Sequence, residues 1–366
     1  MPYFTLSSYG QWGRLSVYPA LRLSQSTILV KGQPRTHHTH RPLRNRLPIM
    51  PDTHSAIRLP VTNAYVRLHL LNGGSMTAEY HKLHAGEAAE EFRLYNWAFF
   101  IQHPEQGKNV VWDVGMSSNV DDFPPVISHG VIREAKILDP AESITAQIQR
   151  RSGIAADQID TVLLSHAHFD HCRPISQLFP NATAYFGPGT FEFCSPGHFA
   201  DPSSPWDGRF FDPAHATERC ETLGGPWTSF GPFERATDFF GDGSFWVIQA
   251  PGHMPGNLCA CARIESGEWV LLGSDCCHSK SLLEGAKEIA TFPLPNGGTG
   301  CLHTDVAAAK DTLARLRVLQ SQLDVHVALA HDASWMQKED DEVLMSLLDE
   351  KFHQDMRRAL PLQEPF

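Results

Sequence analysis

The amino-acid sequence predicts an α/β layered sandwich, and two observations lead to that prediction. Short apolar segments typical of strands outnumber helical segments in both halves of the chain, and the helical segments fall between them. The chain has 366 residues, of which 42% are hydrophobic, so it has enough core-forming residues for one large domain or two ordinary ones.

The elements of the first half are predicted from apolar runs and their endings. Strands are predicted at residues 64–71, 94–102, 109–115 and 161–165. A helix is predicted over residues 139–151, because Pro140 suits its first turn and Ile144 and Ile148 share one face. The strand at 161–165 leads directly into His166.

The second half begins with a segment of different texture. Residues 187–245 are rich in Gly, Pro, Phe and Trp without a long period, which predicts an irregular insertion. Further strands are predicted at residues 245–249, 258–264, 269–273 and 325–330. A helix is predicted over residues 305–323 with Asp305 as its N-cap, and a closing amphipathic helix over residues 339–358. Together these elements predict a single domain over residues 57–360.

The first fifty residues differ from the rest of the chain. Residues 1–50 hold seven basic residues and no acidic one, which leaves 23 Lys and Arg against 41 Asp and Glu in the remainder, a balance of −18. We expect a disordered extension; a mitochondrial transit peptide, for which a leader rich in Arg and Ser is typical, is the alternative. We expect a cytoplasmic protein. A mitochondrial location is the alternative that a transit peptide would imply.

The composition excludes several classes of function. An acidic body argues against a nucleic-acid partner, because phosphate contacts need clustered Lys and Arg. No stretch approaches the roughly 18 uninterrupted apolar residues of a membrane helix, so no membrane partner is expected. Eight Cys, two of them adjacent, do not make the pattern of a disulfide framework. Twenty His is a high count for this length and directs attention to metal sites.

One short segment concentrates metal-binding side chains directly after a predicted buried strand. It contains His166, His168, Asp170 and His171, which are three imidazoles and a carboxylate within six residues. Imidazole and carboxylate are ligands that zinc accepts, and residues in a loop at a strand end are free to converge on one ion. The segment therefore predicts a metal site.

The same residues resemble the signature of the metallo-β-lactamase superfamily of metal-dependent hydrolases. The other motifs of that superfamily have counterparts in the right order, each at the end of a predicted strand. They are Asp113 in an Asp-Val-Gly ending, His253 in a Pro-Gly-His-Met-Pro-Gly turn, Asp275, and His331. The resemblance covers about residues 60–335 and implies an αββα four-layer sandwich with the site at one edge, between two sheets.

The resemblance also implies a ligand set for two zinc ions. One ion would be bound by His166, His168 and His253. The second would be bound by Asp170, His171 and His331, with Asp275 bridging the pair. Asp113 would support the site, and Asp170 would also pass a proton to the leaving group. The implied reaction is attack of a metal-bound hydroxide on a carbonyl carbon.

Two motifs are most similar to the branch containing N-acyl-homoserine lactonases and related lactone and lactam hydrolases. Those lactonases carry a Tyr three residues after the bridging Asp, whereas this chain has His278 there. An imidazole donates the same hydrogen bond, so His278 is a candidate catalytic residue. The expected function is opening of a small lactone or lactam; a thioesterase, a mononuclear iron sulfur dioxygenase and a scaffold without turnover are the alternatives.

The aromatic insertion suggests the kind of substrate. An irregular aromatic segment beside a metal site is typical of a lid or wall for an apolar or aromatic small molecule. The pocket candidates are Phe191, Phe193, Trp206, Phe210, Phe211 and Trp227. The sequence leaves the oligomeric state open, with a homodimer as one option.

Overall fold

The structure is a computed structural model that describes residues 57–294 and 297–360. The predicted leader at residues 1–50 lies outside these ranges. Within them, two six-stranded sheets pack face to face, with helices on their outer faces. None of the described helices is both long and apolar enough to cross a membrane.

The first sheet contains the strands of the first half in chain order. They are β1 (Arg67–Glu79), β2 (Glu91–His103), β3 (Lys108–Trp112), β4 (Thr161–Leu164), β5 (Thr183–Phe186) and β6 (Cys220–Thr222). The pairs from β1 to β3 are antiparallel, and those from β3 to β6 are parallel. Because β3 and β4 are parallel, their carboxyl ends meet at one edge of this sheet.

The second sheet follows the order β14-β11-β10-β9-β8-β7. Its strands are β7 (Thr228–Phe230), β8 (Phe233–Asp238), β9 (Phe245–Gln249), β10 (Leu258–Arg263), β11 (Trp269–Leu272) and β14 (His326–Ala328), while β12 (Phe292–Pro293) and β13 (Thr299–Gly300) form a separate ribbon. β9 and β11 are both antiparallel to β10, and β14 is parallel to β11. The carboxyl ends of β9, β11 and β14 therefore share one edge.

The helices are mostly short, and two of those in predicted helical regions have clear ends. They are α1 (Tyr80–Leu83), α2 (Ile144–Ser152), α3 (Thr190–Cys194), α4 (Gly208–Phe211), α5 (Lys280–Leu283), α6 (Val306–Leu323), α7 (Ser334–Lys338), α8 (Glu342–Met345) and α9 (Glu350–Ala359). The predicted N-cap Asp305 accepts a hydrogen bond from the Ala308 N–H at 3.0 Å. α2 ends at Gly153, whose φ of +75° is the left-handed conformation that glycine adopts without strain.

Three apolar layers hold the sandwich together. The inner layer joins the facing sides of the two sheets and contains Trp97, Phe99 and Val247. An outer layer on the first sheet includes Ile144 and Ile148 of α2. The other outer layer packs α6 against the second sheet. The predicted αββα four-layer sandwich is therefore confirmed.

Several regions differ in detail from the sequence prediction. The helix predicted from residue 139 begins at Ile144, after the N-cap Ser143, so Pro140 lies before the helix and not in its first turn. Residues 339–358 do not form one helix. Glu339 ends α7 at φ +51°, and Asp341 and Asp349 cap the starts of α8 and α9. Residues 187–245 contain α3, α4, β6, β7 and β8 as well as irregular backbone. β6 and β7 have three residues each, which is too short for a period to be recognised in the sequence.

Candidate metal centre

The predicted ligands lie where the carboxyl ends of strands from both sheets meet. His166, His168, Asp170 and His171 follow β4 in the first sheet. His253, Asp275 and His331 follow β9, β11 and β14 in the second sheet. The site is thus built between the two sheets, with ligands supplied by each.

These seven side chains form two ligand groups that share one carboxylate. The first ligand group is His166, His168, His253 and Asp275, and the second ligand group is Asp170, His171, Asp275 and His331. Within each group, one ligand atom of every residue lies within 4.8 Å of the others. Asp275 Oδ1 lies 3.2 Å from Nε2 of both His171 and His331, and its Oδ2 lies 3.5 Å from His253 Nε2. Asp275 is therefore placed to bridge two ions.

Asp113 supports the site from the end of β3. Its fully buried carboxylate accepts the Ser165 N–H at 2.7 Å, the Ser165 hydroxyl at 2.8 Å and His171 Nδ1–H at 2.9 Å. Its φ of +59° is in the left-handed region, which Asp tolerates better than most residues. Because Nδ1 of His171 carries the proton, Nε2 keeps its lone pair toward the second ligand group.

Two other histidines are oriented by the same kind of hydrogen bond. His331 Nδ1–H donates to the Tyr95 carbonyl at 2.7 Å. The Ser165 hydroxyl already donates to Asp113, so at 3.0 Å it accepts a hydrogen bond from His166 Nδ1–H. In the neutral form of each ring Nε2 is the lone-pair nitrogen, which is the form that binds a metal; His331 must first lose its second proton.

The buried polar atoms of the centre fit a metal. Among the described residues, His166 Nε2, His171 Nε2 and Asp275 Oδ1 are buried without a hydrogen-bond partner. Nδ1 of His168 and Nε2 of His253 approach to 2.8 Å, so both nitrogens are directed at the same region. Buried nitrogen and oxygen atoms rarely lack partners, and a divalent cation would satisfy these.

The charges of the centre reinforce this assignment. Burial alone would raise the pKa of Asp170 and Asp275, but the neighbouring histidines hold both well below the usual range. Burial also opposes protonation of His331, yet Asp275 and Asp170 raise its pKa to about 10. Without a metal, the centre therefore holds ionised carboxylates and at least one protonated histidine. A bound cation would displace the extra proton of that histidine.

His278 lies over the Asp275 carboxylate, which the two ligand groups share. Its Nε2 is 3.3 Å from Asp275 Oδ2, and its ring stacks on His331 with centroids 5.9 Å apart and planes at 6°. The His278 ring also contacts His253 at 5.2 Å. The side chain thus reaches residues of both ligand groups.

His303 is a neighbour that the sequence analysis did not identify. It is buried, and its ring lies 5.1 Å from that of His278 and 5.3 Å from that of His253. It follows β13 in a segment without a recognisable motif, so only the high count of histidines could have suggested it.

The aromatic candidates separate into two sets. Trp206 stacks on His168 at 5.8 Å and 14°, and Phe193 contacts Trp206 at 5.7 Å. The other candidates pack away from the ligands: Phe191, Phe210 and Phe211 against Phe186 in the outer layer of the first sheet, and Trp227 against the inner layer. Trp206 and Phe193 are therefore the aromatic candidates that remain for a substrate wall.

The αββα fold and the two groups of possible metal ligands together indicate a class of metal-binding protein. The sequence profile of the metallo-beta-lactamase superfamily matches residues 92–274, which is half of the chain. The chain belongs to this superfamily. The predictions of family and fold are confirmed.

Curated relatives share the domain at moderate identity. The chain is 31% identical over 255 residues to cytochrome P450 monooxygenase mpaDE' of Penicillium brevicompactum, across 64% of this chain but only 29% of that protein. It is 29% identical to metallo-hydrolase mfmC of Annulohypoxylon moriforme, across 66% of this chain and 71% of the relative. It is also 29% identical to gamma-lactamase FDB1 of Fusarium pseudograminearum, across 52% of this chain and 46% of that relative.

A solved structure supports the fold independently. An N-acyl homoserine lactone hydrolase, with the product N-hexanoyl-L-homoserine bound at its catalytic metal centre, aligns with a TM-score of 0.56. The alignment covers 75% of this chain and 96% of that one at 16% sequence identity. At this identity the likeness establishes a common fold.

Proposed function

We propose that this protein is a dizinc hydrolase that opens a small lactone or lactam. The observation that supports it best is the pair of four-residue ligand groups joined at Asp275, with buried ligand atoms that lack other partners. Relatives named as a gamma-lactamase and as N-acyl homoserine lactonases favour a cyclic amide or ester over other carbonyl substrates.

In this proposal each ligand group holds one zinc ion. His166, His168 and His253 bind the first ion, Asp170, His171 and His331 bind the second, and Asp275 contacts both. When bound, such a pair of ions supplies Lewis acidity toward the carbonyl and lowers the pKa of water toward neutrality. The residues around it then orient the substrate and move protons.

Asp170 is the residue proposed to carry the proton to the leaving oxygen or nitrogen. It is buried, and its Oδ2 lies 3.4 Å from Nε2 of both His171 and His331. Asn96 Nδ2 donates to the Asp170 backbone carbonyl at 2.5 Å, which fixes this part of the loop. Because the pKa of Asp170 is held low, the carboxylate is ready to accept a proton before it passes it on.

His278 is proposed to donate a hydrogen bond to the substrate carbonyl oxygen. It lies on top of Asp275 and reaches both ligand groups, so a carbonyl between them is close to its ring. Trp206 and Phe193 are proposed as the wall that contacts the apolar part of the substrate.

A hydrolysis panel on the zinc-loaded full chain tests the function. We expect turnover of simple γ-lactones or γ-lactams, with close to two zinc ions per chain by elemental analysis. Asp275→Ala is the matched inactive variant, because it removes the residue shared by both ligand groups. Turnover confined to acyl thioesters would replace this function with the thioesterase alternative, and a consistent content of one iron would favour the dioxygenase.

A further inference from the structure

His303 is fixed beside the metal centre by the backbone around it. It lies between β13 and α6, and the next two residues donate backbone hydrogen bonds to the third metal motif. Thr304 N–H donates to the His253 carbonyl at 2.9 Å, and Asp305 N–H donates to the Gly252 carbonyl at 3.0 Å. His303 therefore keeps its position relative to the ligand His253.

The His303 ring completes a group of three mutually close imidazoles. The centroids of His253, His278 and His303 are 5.1–5.3 Å apart in every pair. His253 belongs to the first ligand group, whereas His303 belongs to neither. His303 thus touches the centre without being one of its ligands.

The Nδ1 atom of His303 is buried and has no hydrogen-bond partner among the described residues. The side chain is almost fully buried, at 4% exposure. The unpartnered atoms of His166, His171 and Asp275 are explained by metal ions, whereas those of His303 (Nδ1) and Trp206 (Nε1), which contact the centre but lie outside both ligand groups, are not. A buried imidazole nitrogen without a partner is costly, so it indicates a group that binds there and supplies one.

Trp206 lies on another side of the first ligand group. Trp206 stacks on His168, which is also in the first ligand group, while His303 contacts His253. The rings of His168 and His253 are 4.7 Å apart. A substrate bound over the first ligand group would therefore have an apolar indole on one side and the His303 imidazole on another.

We propose that His303 is a specificity-determining residue that hydrogen-bonds a hydroxyl substituent of the cyclic ester or amide. A hydroxyl both donates and accepts, so it satisfies Nδ1 in either tautomer. An ammonium substituent would be repelled by the metal ions. This inference rests on the proposed function and adds the substrate class: hydroxylated lactones or lactams, preferred over those without the hydroxyl.

The test compares two kinds of substrate with two variants of the zinc-loaded full chain. The substrates are γ-butyrolactone and its α-hydroxy and β-hydroxy derivatives, which differ from it only by the hydroxyl. The wild type should prefer at least one hydroxylated lactone by roughly tenfold or more in kcat/KM. His303→Ala should remove this preference, measured as the ratio of kcat/KM between the hydroxylated and the unsubstituted lactone, whereas His303→Asn, which retains hydrogen-bonding groups, should keep part of it.

Zinc content and the unfolding midpoint are measured for each variant. These measurements separate loss of the metal site from loss of the hydrogen bond between His303 and the substrate. If kcat/KM falls by the same factor for all substrates in both variants, His303 has a structural role and the inference is overturned. A preference that survives in His303→Ala would overturn it as well. Both results leave the proposed function intact, whereas a wild type that opens none of these lactones and no γ-lactam of the hydrolysis panel overturns the proposed function and this inference together.

Discussion

Replacing Asp113 with Asn should weaken zinc binding more than it weakens the fold. Asn is the appropriate substitution because position 113 has a φ of +59°, which Asn also adopts with little strain. The amide oxygen must face the Ser165 N–H, because a backbone N–H can only donate a hydrogen bond. The amide nitrogen then faces the Ser165 hydroxyl and His171 Nδ1.

The size of the effect follows from these three contacts. The Ser165 N–H contact is kept, and the Ser165 hydroxyl rotates to accept instead of donating. His171 Nδ1 must also become an acceptor, which moves the ring proton to Nε2, the nitrogen that faces the second ligand group. We expect metal-free stability to fall by about 1–2 kcal/mol, and affinity for the second ion to fall by about 10–100-fold.

Chelator competition and denaturant unfolding measure the two quantities separately. The first ligand group is linked to Asp113 through the Ser165 hydroxyl, which can still accept from His166 Nδ1–H after it rotates, so one zinc ion should bind with nearly wild-type affinity. Asp139→Asn is the matched control, because its exposed carboxylate also accepts the N–H and hydroxyl of a serine, Ser118. Wild-type affinity for both ions in Asp113→Asn would refute the tautomer argument.

Four further predictions test other parts of the centre. Asp170→Asn should lower kcat by about 100-fold or more in a chain that still folds, and unchanged turnover would remove its role in proton transfer. His278→Ala should lower kcat by roughly tenfold or more with smaller effects on KM; an unchanged kcat would exclude it as a carbonyl donor. Gly252→Ala should cost about 2–4 kcal/mol in denaturant unfolding, because φ is +131° and a Cβ would lie 2.3 Å from a backbone nitrogen of α6. Gly86→Ala, also at positive φ but with open space around it, should cost distinctly less, and equal costs would contradict the close-contact argument. Zinc binding should strengthen as pH rises toward 10, because the pKa of His331 in the metal-free centre is about 10 and zinc displaces its proton; calorimetry in two buffers should detect proton release, and its absence would contradict the assignment.

The ligand set was predictable because each member follows a strand that is recognisable in the sequence. His166, His168, Asp170 and His171 are local to one loop, and His253 lies in a turn whose Pro and Gly residues mark it. The strands that precede these ligands are apolar and end abruptly, so their positions could be assigned from composition alone.

The parts that escaped prediction depend on contacts between distant residues. His303 is brought to His253 by backbone hydrogen bonds between the start of α6 and the turn after β9, which no local pattern encodes. The division of the last helical region depends on the caps Asp341 and Asp349 and on Glu339 at positive φ. Which aromatic residues approach the centre depends on the path of residues 187–245, and Trp206 cannot be distinguished from Phe210 by sequence.

The division of ligands between the sheets has a consequence for how the chain matures. Each ligand group takes two residues from the loop after β4 and two from the endings of β9, β11 and β14. A fragment that contains only one sheet offers half of each coordination shell, so it cannot compete well for zinc. In the proposed dizinc enzyme, tight zinc binding therefore follows assembly of the two sheets. The bound ions would then stabilise the association of the sheets.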